Sequence, residues 1–218
     1  MNPLKSQILA AAHADCIPKG ESGLWHIKKL RLKEPLPVEW PKTRTHAFTL
    51  PPGTWTSLFR FTDAMHHSLG ELVMHDYPVE IARHLIFMLR ARGNVLITGL
   101  GLGCVVRGAL ANPAVQKVTV LEESSDVLRL VQPHMEQSAR LEIIHTEAEA
   151  WIGAHPMATF DCAWHDLWVD ESNEKNESLQ LKHSALISRL VGRVKFQGAW
   201  EFPRSQRRLW AAHGLNVI

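Results

Sequence analysis

Three glycines, Gly99, Gly101 and Gly103, follow directly on the apolar run 94–98, and a second apolar run, 118–121, ends on Glu122. A glycine turn lets backbone approach a ligand closely, and a helix opening after it offers N–H groups to that ligand. An acid at the tip of the next strand accepts hydrogen bonds from ribose hydroxyls. The chemistry this spacing points to is nucleoside binding; the plainer reading is a tight strand-to-helix turn. A second set, His165-Asp166-Leu167-Trp168, follows a later apolar run. Asp166 has the carboxylate to orient or deprotonate an acceptor. His165, with an ordinary pKa of ~6.5, has the range of a general base. Trp168 has the surface to wall a pocket. The plainer readings are a hydrogen-bonded histidine under a sheet edge, a loop cap and ordinary packing.

These groups act together only if a sheet brings them to one edge. From Asp76 onward helical and strand patterns alternate. Asp76 is expected to cap a helix with Pro78 in its first turn. Ile81, Ala82, Leu85, Ile86, Met88 and Leu89 then keep helical spacing, and Gly93 closes it. Strands are expected at 94–98, 117–121, 141–145, 159–165 and 194–200. Helices are expected at 103–111, 124–137 with Ser124 as cap, 147–153, 177–191 and, as a last basic helix, 204–212. Such alternation implies a parallel sheet with right-handed crossovers. The runs 95–98 and 118–121 are continuously apolar, as a sheet covered on both faces requires. The fold class expected is α/β: a doubly wound, mostly parallel Rossmann-like sheet, with the strands' carboxyl ends forming one crevice.

Residues 1–76 read differently. An opening helix precedes an alternating strand at 24–32, and Pro35, Pro37 and Pro41 break the chain. Strand, turn and strand follow at 47–50, 51–53 and 54–61, with a short strand at 69–74. We expect a β-rich module over 1–76 and the nucleoside-binding domain over 77–218.

At 218 residues, with 45% hydrophobic and 21% charged residues, the chain has the composition of a folded globular protein. A net charge of +2 gives no nucleic-acid footprint. Cys16, Cys104 and Cys162 form no paired spacing, so reduced thiols in a cytoplasm are expected. No apolar run reaches the ~18 residues of a membrane span. The run 8–12 is too short for a secretory signal and reads as part of an amphipathic helix. His66, His67, His75 and Asp76, with His145 or His165, match no metal-ligand spacing, and no metal is expected. Arg204, Arg207 and Arg208 read as a solvated face. Eight tryptophans against one tyrosine imply core or domain contacts, with one or two free to stack on a ligand.

In dinucleotide folds the third glycine follows the second by three residues. Here Gly103 follows Gly101 by two, and Cys104-Val105-Val106 comes next, which suits a mononucleoside whose tail crosses the turn. The segments NVLITGLGLG, VQKVTVLEESSDVLRLVQPHM, LEIIHTEAEAWI and FDCAWHDLW resemble the class I S-adenosylmethionine-dependent methyltransferase superfamily, and within it the spermidine-synthase-like branch. The likeness covers about residues 70–170. It implies S-adenosyl-L-methionine as cofactor, bound by the turn of Gly99, Gly101 and Gly103. It implies Glu122 on the ribose, Glu147 on the adenine amino group and Asp166 facing the substrate. Glu80 falls where aminopropyltransferases carry a glutamate, and with Trp168 and Asp170 it completes the implied substrate site.

The departures from that branch are informative. Aminopropyltransferases carry an aspartate inside the glycine turn, where this chain has Leu102. They carry another three residues after the substrate-facing one, where this chain has Val169, with Asp170 one position late. Their Tyr-His pair before the glutamate is Pro78-Val79 here. Ile97 stands where many methyltransferases place an acid. A polyamine needs carboxylates to replace its hydration, each charged hydrogen bond contributing ~1.5–3 kcal/mol. Two missing carboxylates argue against polyamine and for methyl transfer to a small-molecule acceptor. The other readings are an aminopropyltransferase using the decarboxylated cofactor, a non-catalytic nucleoside-binding or association module, and a nicotinamide-dependent oxidoreductase. Few residues follow the fifth strand, so we expect the sheet to be shortened or completed by a partner; a homodimer is one such assembly.

Overall fold

The computed structural model describes residues 2–38, 48–61, 70–167 and 175–200. Trp168, Asp170, His66, His67, Arg204, Arg207, Arg208 and the expected helix at 204–212 lie outside the described residues. In chain order the first part comprises α1 (Pro3–Ala11), β1 (Gly20–Ser22), β2 (Trp25–Leu32), β3 (Leu36–Val38), β4 (Phe48–Leu50), β5 (Gly53–Arg60) and β6 (Glu71–His75). There follow α2 (Pro78–Arg90), β7 (Gly93–Thr98), α3 (Cys104–Leu110), β8 (Val115–Glu122) and α4 (Ser125–Val131). The chain continues with β9 (Leu141–His145), α5 (Ala148–Ala154), β10 (Phe160–His165), α6 (Lys175–Arg189) and β11 (Val194–Ala199).

β7 to β11 form a five-stranded sheet in the order β11-β10-β7-β8-β9, every pairing parallel. The chain winds outward from β7 to β9 and then returns to the other side of β7. The strand order therefore reverses between β7 and β10, which is where such sheets open a crevice at their carboxyl ends. Period-2 alternation divides the side chains between two apolar layers. Val95, Ile97, Val118, Val120, Cys162 and Trp164 belong to one core. Leu96, Leu121 and Ala163 belong to the other, with Leu186 and Leu190 of α6. The first core also takes in Ile8, Ile17, Ile27, Leu58 and Met74 from the N-terminal part.

That N-terminal part is a four-stranded antiparallel sheet, β1-β2-β5-β6, with a separate β3-β4 pair. Pro37, expected to break the chain, sits inside β3 opposite Thr49. A two-stranded ribbon has open edges, so a residue without an N–H costs it little.

Two caps test the local reading of the sequence. Ser124 caps α4 as expected, its Oγ accepting from the Val127 N–H at 3.2 Å. That helix ends at Val131, before a 3-10 turn at Gln132–His134 that holds Pro133, rather than running on to 137. Asp76 does not cap α2; the N-cap is Tyr77. Fully buried, the Asp76 carboxylate instead accepts from the N–H groups of Thr56 at 2.6 Å and Ala14 at 3.0 Å. It thereby ties the end of β6 to β5 and to the loop after α1. No helix among the described residues is long and apolar enough to cross a membrane.

Candidate functional site

The loops at the carboxyl ends of the parallel strands enclose an open cleft of about 990 Å³, solvent at its mouth included. Gly99 and Gly101 line it after β7, Glu122 to Ser124 after β8, Thr146 to Glu149 after β9, and Asp166 and Leu167 after β10. Glu80 of α2 and Trp200 after β11 complete this side. The opposite wall comes from the N-terminal sheet, through Trp25, Leu58, Val73 and Met74.

The turn after β7 is built as its glycines require. Gly99, Gly101 and Gly103 have φ of 91°, 50° and 73°. A side chain on Gly99 would meet the backbone oxygen of Asp166, because β7 and β10 run side by side up to this edge. Glu122 holds the turn from β8: Oε2 accepts from the Leu100 N–H at 2.7 Å, and Oε1 from the Ser124 N–H at 2.8 Å. Burial raises the Glu122 pKa against the pull of these two bonds. A carboxylate offers about four lone-pair sites, so acceptor capacity remains for a hydroxyl donor. Glu147 lines the same side after β9 and caps α5, accepting from the N–H groups of Glu149 at 3.0 Å and Ala150 at 2.7 Å.

Asp166 follows β10, its N–H held by the Thr98 carbonyl at 2.9 Å. Burial raises its pKa; His84 pulls the other way and Glu80 reinforces the rise. Glu80 is itself a buried acid with three partners. Arg83 Nη1 lies 2.7 Å from Oε2, His84 Nε2 lies 3.6 Å from Oε1, and Trp200 Nε1 donates to Oε1 at 2.7 Å. Burial alone would raise its pKa, but His84 and Arg83 outweigh that and bring it down to about 2. Burial likewise works to lower the His84 pKa, and Asp166 and Glu80 reverse it into a rise. Two acids and one imidazole thus share a corner of the cleft, Glu80 and His84 buried and Asp166 half-buried. The lining acids Glu80, Glu122, Glu123, Glu147, Glu149 and Asp166 face Lys182 as the one lysine or arginine among the described lining residues.

His165 does not join them. Its parity places it with Ala163, on the α6 side of the sheet. There Nδ1 lies 3.1 Å from Thr98 Oγ1 and Nε2 lies 3.3 Å from Gln197 Oε1. Thr98 and Gln197 occupy the same face on the neighbouring strands, so the three form a buried polar row. Burial lowers the His165 pKa to about 4. The other two described histidine candidates have partners elsewhere: His75 stacks on Tyr77 with centroids 4.1 Å apart, and His145 Nε2 lies 3.0 Å from the Glu123 carbonyl.

Sequence reasoning assigned no part here to His84, Met74, Leu58 or Val73. His84 had a signal, one helical turn after Glu80 on the same helix face. The module residues had none, since only the packing of one sheet against another brings them to the cleft.

No family model matches the chain, and no curated protein matches it. Among solved structures, SMU.776, described as a candidate methyltransferase complexed with SAH, is similar over 81% of this chain and 48% of its own, at 13% identity and TM-score 0.51. A candidate SAM-dependent methyltransferase from Streptococcus mutans is similar over 73% of this chain and 43% of its own, at 14% identity and TM-score 0.49. Spermidine synthase from Thermotoga maritima is similar over 82% of this chain and 52% of its own, at 16% identity and TM-score 0.44. The chain spans about half the length of these proteins. The likeness to SMU.776, with the strand order above, shows the class I methyltransferase fold.

Proposed function

We propose that the chain is an S-adenosylmethionine-dependent methyltransferase acting on a small-molecule acceptor. The observation that carries this reading is the gathering of the left-handed glycine turn, Glu122 and Asp166 around one cleft at the point where strand order reverses. The residues fit an adenosyl ligand. Glu122 has acceptor capacity left for ribose hydroxyls, Gly99 presents bare backbone, Gly101 does so once Met74 Sδ moves aside, and Glu147 in the same lining is our candidate for the adenine amino group. When bound, the cofactor supplies a methyl group on a sulfonium.

In-line transfer needs an acceptor held close and aligned, and a place for its proton if it has one. Asp166 supplies that place. Its raised pKa keeps it nearer to the range of a working general base than an exposed aspartate. Glu80, His84 and Trp200 fix the corner beside it. Trp25, Leu58 and Val73 cover the acceptor side and limit water. His165, buried behind the sheet, has no part in this scheme.

One observation favours a second reading. The excess of carboxylates in the lining suits a cationic ligand, as an aminopropyltransferase would need. The experiment is thermal unfolding with S-adenosylmethionine, S-adenosylhomocysteine, decarboxylated S-adenosylmethionine, putrescine and NAD. A ligand at ~100 times its Kd stabilises by about 2.7 kcal/mol. Stabilisation by S-adenosylmethionine and S-adenosylhomocysteine is expected. A response to the decarboxylated cofactor and putrescine in their place selects the second reading. A response to NAD alone, or to none of the five, rejects both.

A further inference from the structure

The turn between β7 and α3 already has an occupant at one of its donors. Leu102 donates its N–H to Met74 Sδ at 3.2 Å. The same sulfur lies 2.6 Å from where a side chain on Gly101 would begin, so it covers the bare backbone of the turn. Two residues earlier in the turn, the Leu100 N–H is taken by Glu122, the acid placed for ribose. On the nucleoside reading, the ribose belongs at Leu100 beside Glu122 and the tail at Leu102, where a thioether sits.

Met74 reaches this place through an irregularity in its strand. The β5–β6 register shifts between Leu58, paired with Met74, and Phe59, paired with Leu72. Val73 is the extra residue, and both Val73 and Met74 line the cleft instead of alternating away from it. Bulges re-aim side chains in this way beside ligand sites. The contact is also easy to exchange. Sulfur is a weak acceptor, whereas a carboxylate oxygen makes a charge-assisted bond roughly twice as strong as a neutral one. The unbranched methionine side chain can leave by rotation about its own bonds, without moving the strand.

We propose that Met74 is the specificity-determining residue at the tail end of the cleft. Its thioether holds the place that a carboxylate-bearing tail would take, so S-adenosylmethionine and S-adenosylhomocysteine bind with Met74 moved aside, while adenosine thioethers without such a tail bind with it in place. A tailed ligand must displace Met74 to reach the Leu102 N–H; a tailless one binds beside it. This rests on the nucleoside reading above.

The test compares S-adenosylhomocysteine, which has the tail, with 5′-methylthioadenosine, which lacks it. In the intact chain with ¹³C-methyl methionine, the Met74 resonance, assigned through Met74→Leu, is expected to move on saturation with S-adenosylhomocysteine and to stay in place with 5′-methylthioadenosine. Met74→Ala is expected to tighten S-adenosylhomocysteine about tenfold by removing the closed population, and to change 5′-methylthioadenosine by less than about twofold. If both ligands bind and move the Met74 resonance alike, or both leave it unmoved, the proposal is overturned while the nucleoside reading stands. Equal changes in both affinities on Met74→Ala overturn it in the same way. If neither ligand binds, the nucleoside reading falls and this proposal with it. Should Met74→Ala fail to fold, the resonance in the unaltered chain decides.

Discussion

Trp200 Nε1 donates to Glu80 Oε1 at 2.7 Å, joining residues 120 positions apart. The bond ties the end of β11 to the first turn of α2 and closes one side of the cleft. Glu80 sits where the helix N-terminus favours a negative charge. With Arg83 and His84 around it, that charge persists to about pH 2.

Replacing Glu80 by Gln is expected to cost roughly 3 kcal/mol near neutral pH, as breaking a buried ion pair does. The folded pKa of about 2 lies below the ordinary 4.5, so the stabilisation is present above 4.5 and lost as pH falls towards 2. Urea unfolding of both proteins across that window should show the gap narrowing. A gap independent of pH would mean that the Glu80 charge does not stabilise the fold.

Gly99→Ala is expected to destabilise the protein by roughly 2–4 kcal/mol, since φ of 91° suits no other residue and the new methyl would meet the Asp166 carbonyl. The same change should abolish adenosyl binding by prying β7 from β10. A midpoint of urea unfolding equal to that of the unaltered chain would contradict the close approach.

His165→Leu leaves Thr98 and Gln197 without their buried partner and is expected to cost about 1–3 kcal/mol. Nucleoside affinity should not change, because the ring lies behind the sheet. The folded pKa of about 4 is below the ordinary 6.5, so the neutral ring's contribution is complete above 6.5 and fades as pH falls towards 4. Calorimetric titration with S-adenosylhomocysteine, beside the unfolding curves, separates a structural role from a ligand-binding one.

Glu122→Ala and Asp166→Asn should divide binding from transfer. The first is expected to weaken S-adenosylhomocysteine by about 10- to 100-fold through lost charged hydrogen bonds. The second should leave that affinity intact and lower label transfer from methyl-labelled S-adenosylmethionine into a small-molecule extract by about 10²- to 10⁴-fold. In the unaltered chain transfer should rise with pH through an ionisation above the ordinary aspartate range, because burial raises the Asp166 pKa. A flat profile would remove Asp166 as the base.

Much of the edge that lines the cleft was legible in the chain itself. The runs into Gly99, Glu122 and Asp166 each read as strands, and parallel strands linked by helices must end on a common edge. Strand alternation puts His165 and Asp166 on opposite faces, but only the packing decides which face meets the cleft. Asp76 shows where local rules stop. Its spacing before Pro78 fits a cap, yet the donors of Thr56 and Ala14, far along the chain, took the carboxylate.

The sequence by itself determined the periodicities, hence the α/β class, the glycine turn and the acids at the strand ends, because these depend on steric and hydrophobic preferences over a few residues. Only the tertiary structure decided that Met74 covers the turn, that Trp200 grips Glu80 and that a wall of the N-terminal sheet closes the cleft. Those facts depend on which donors and acceptors meet when distant segments pack, and no spacing along the chain encodes that meeting.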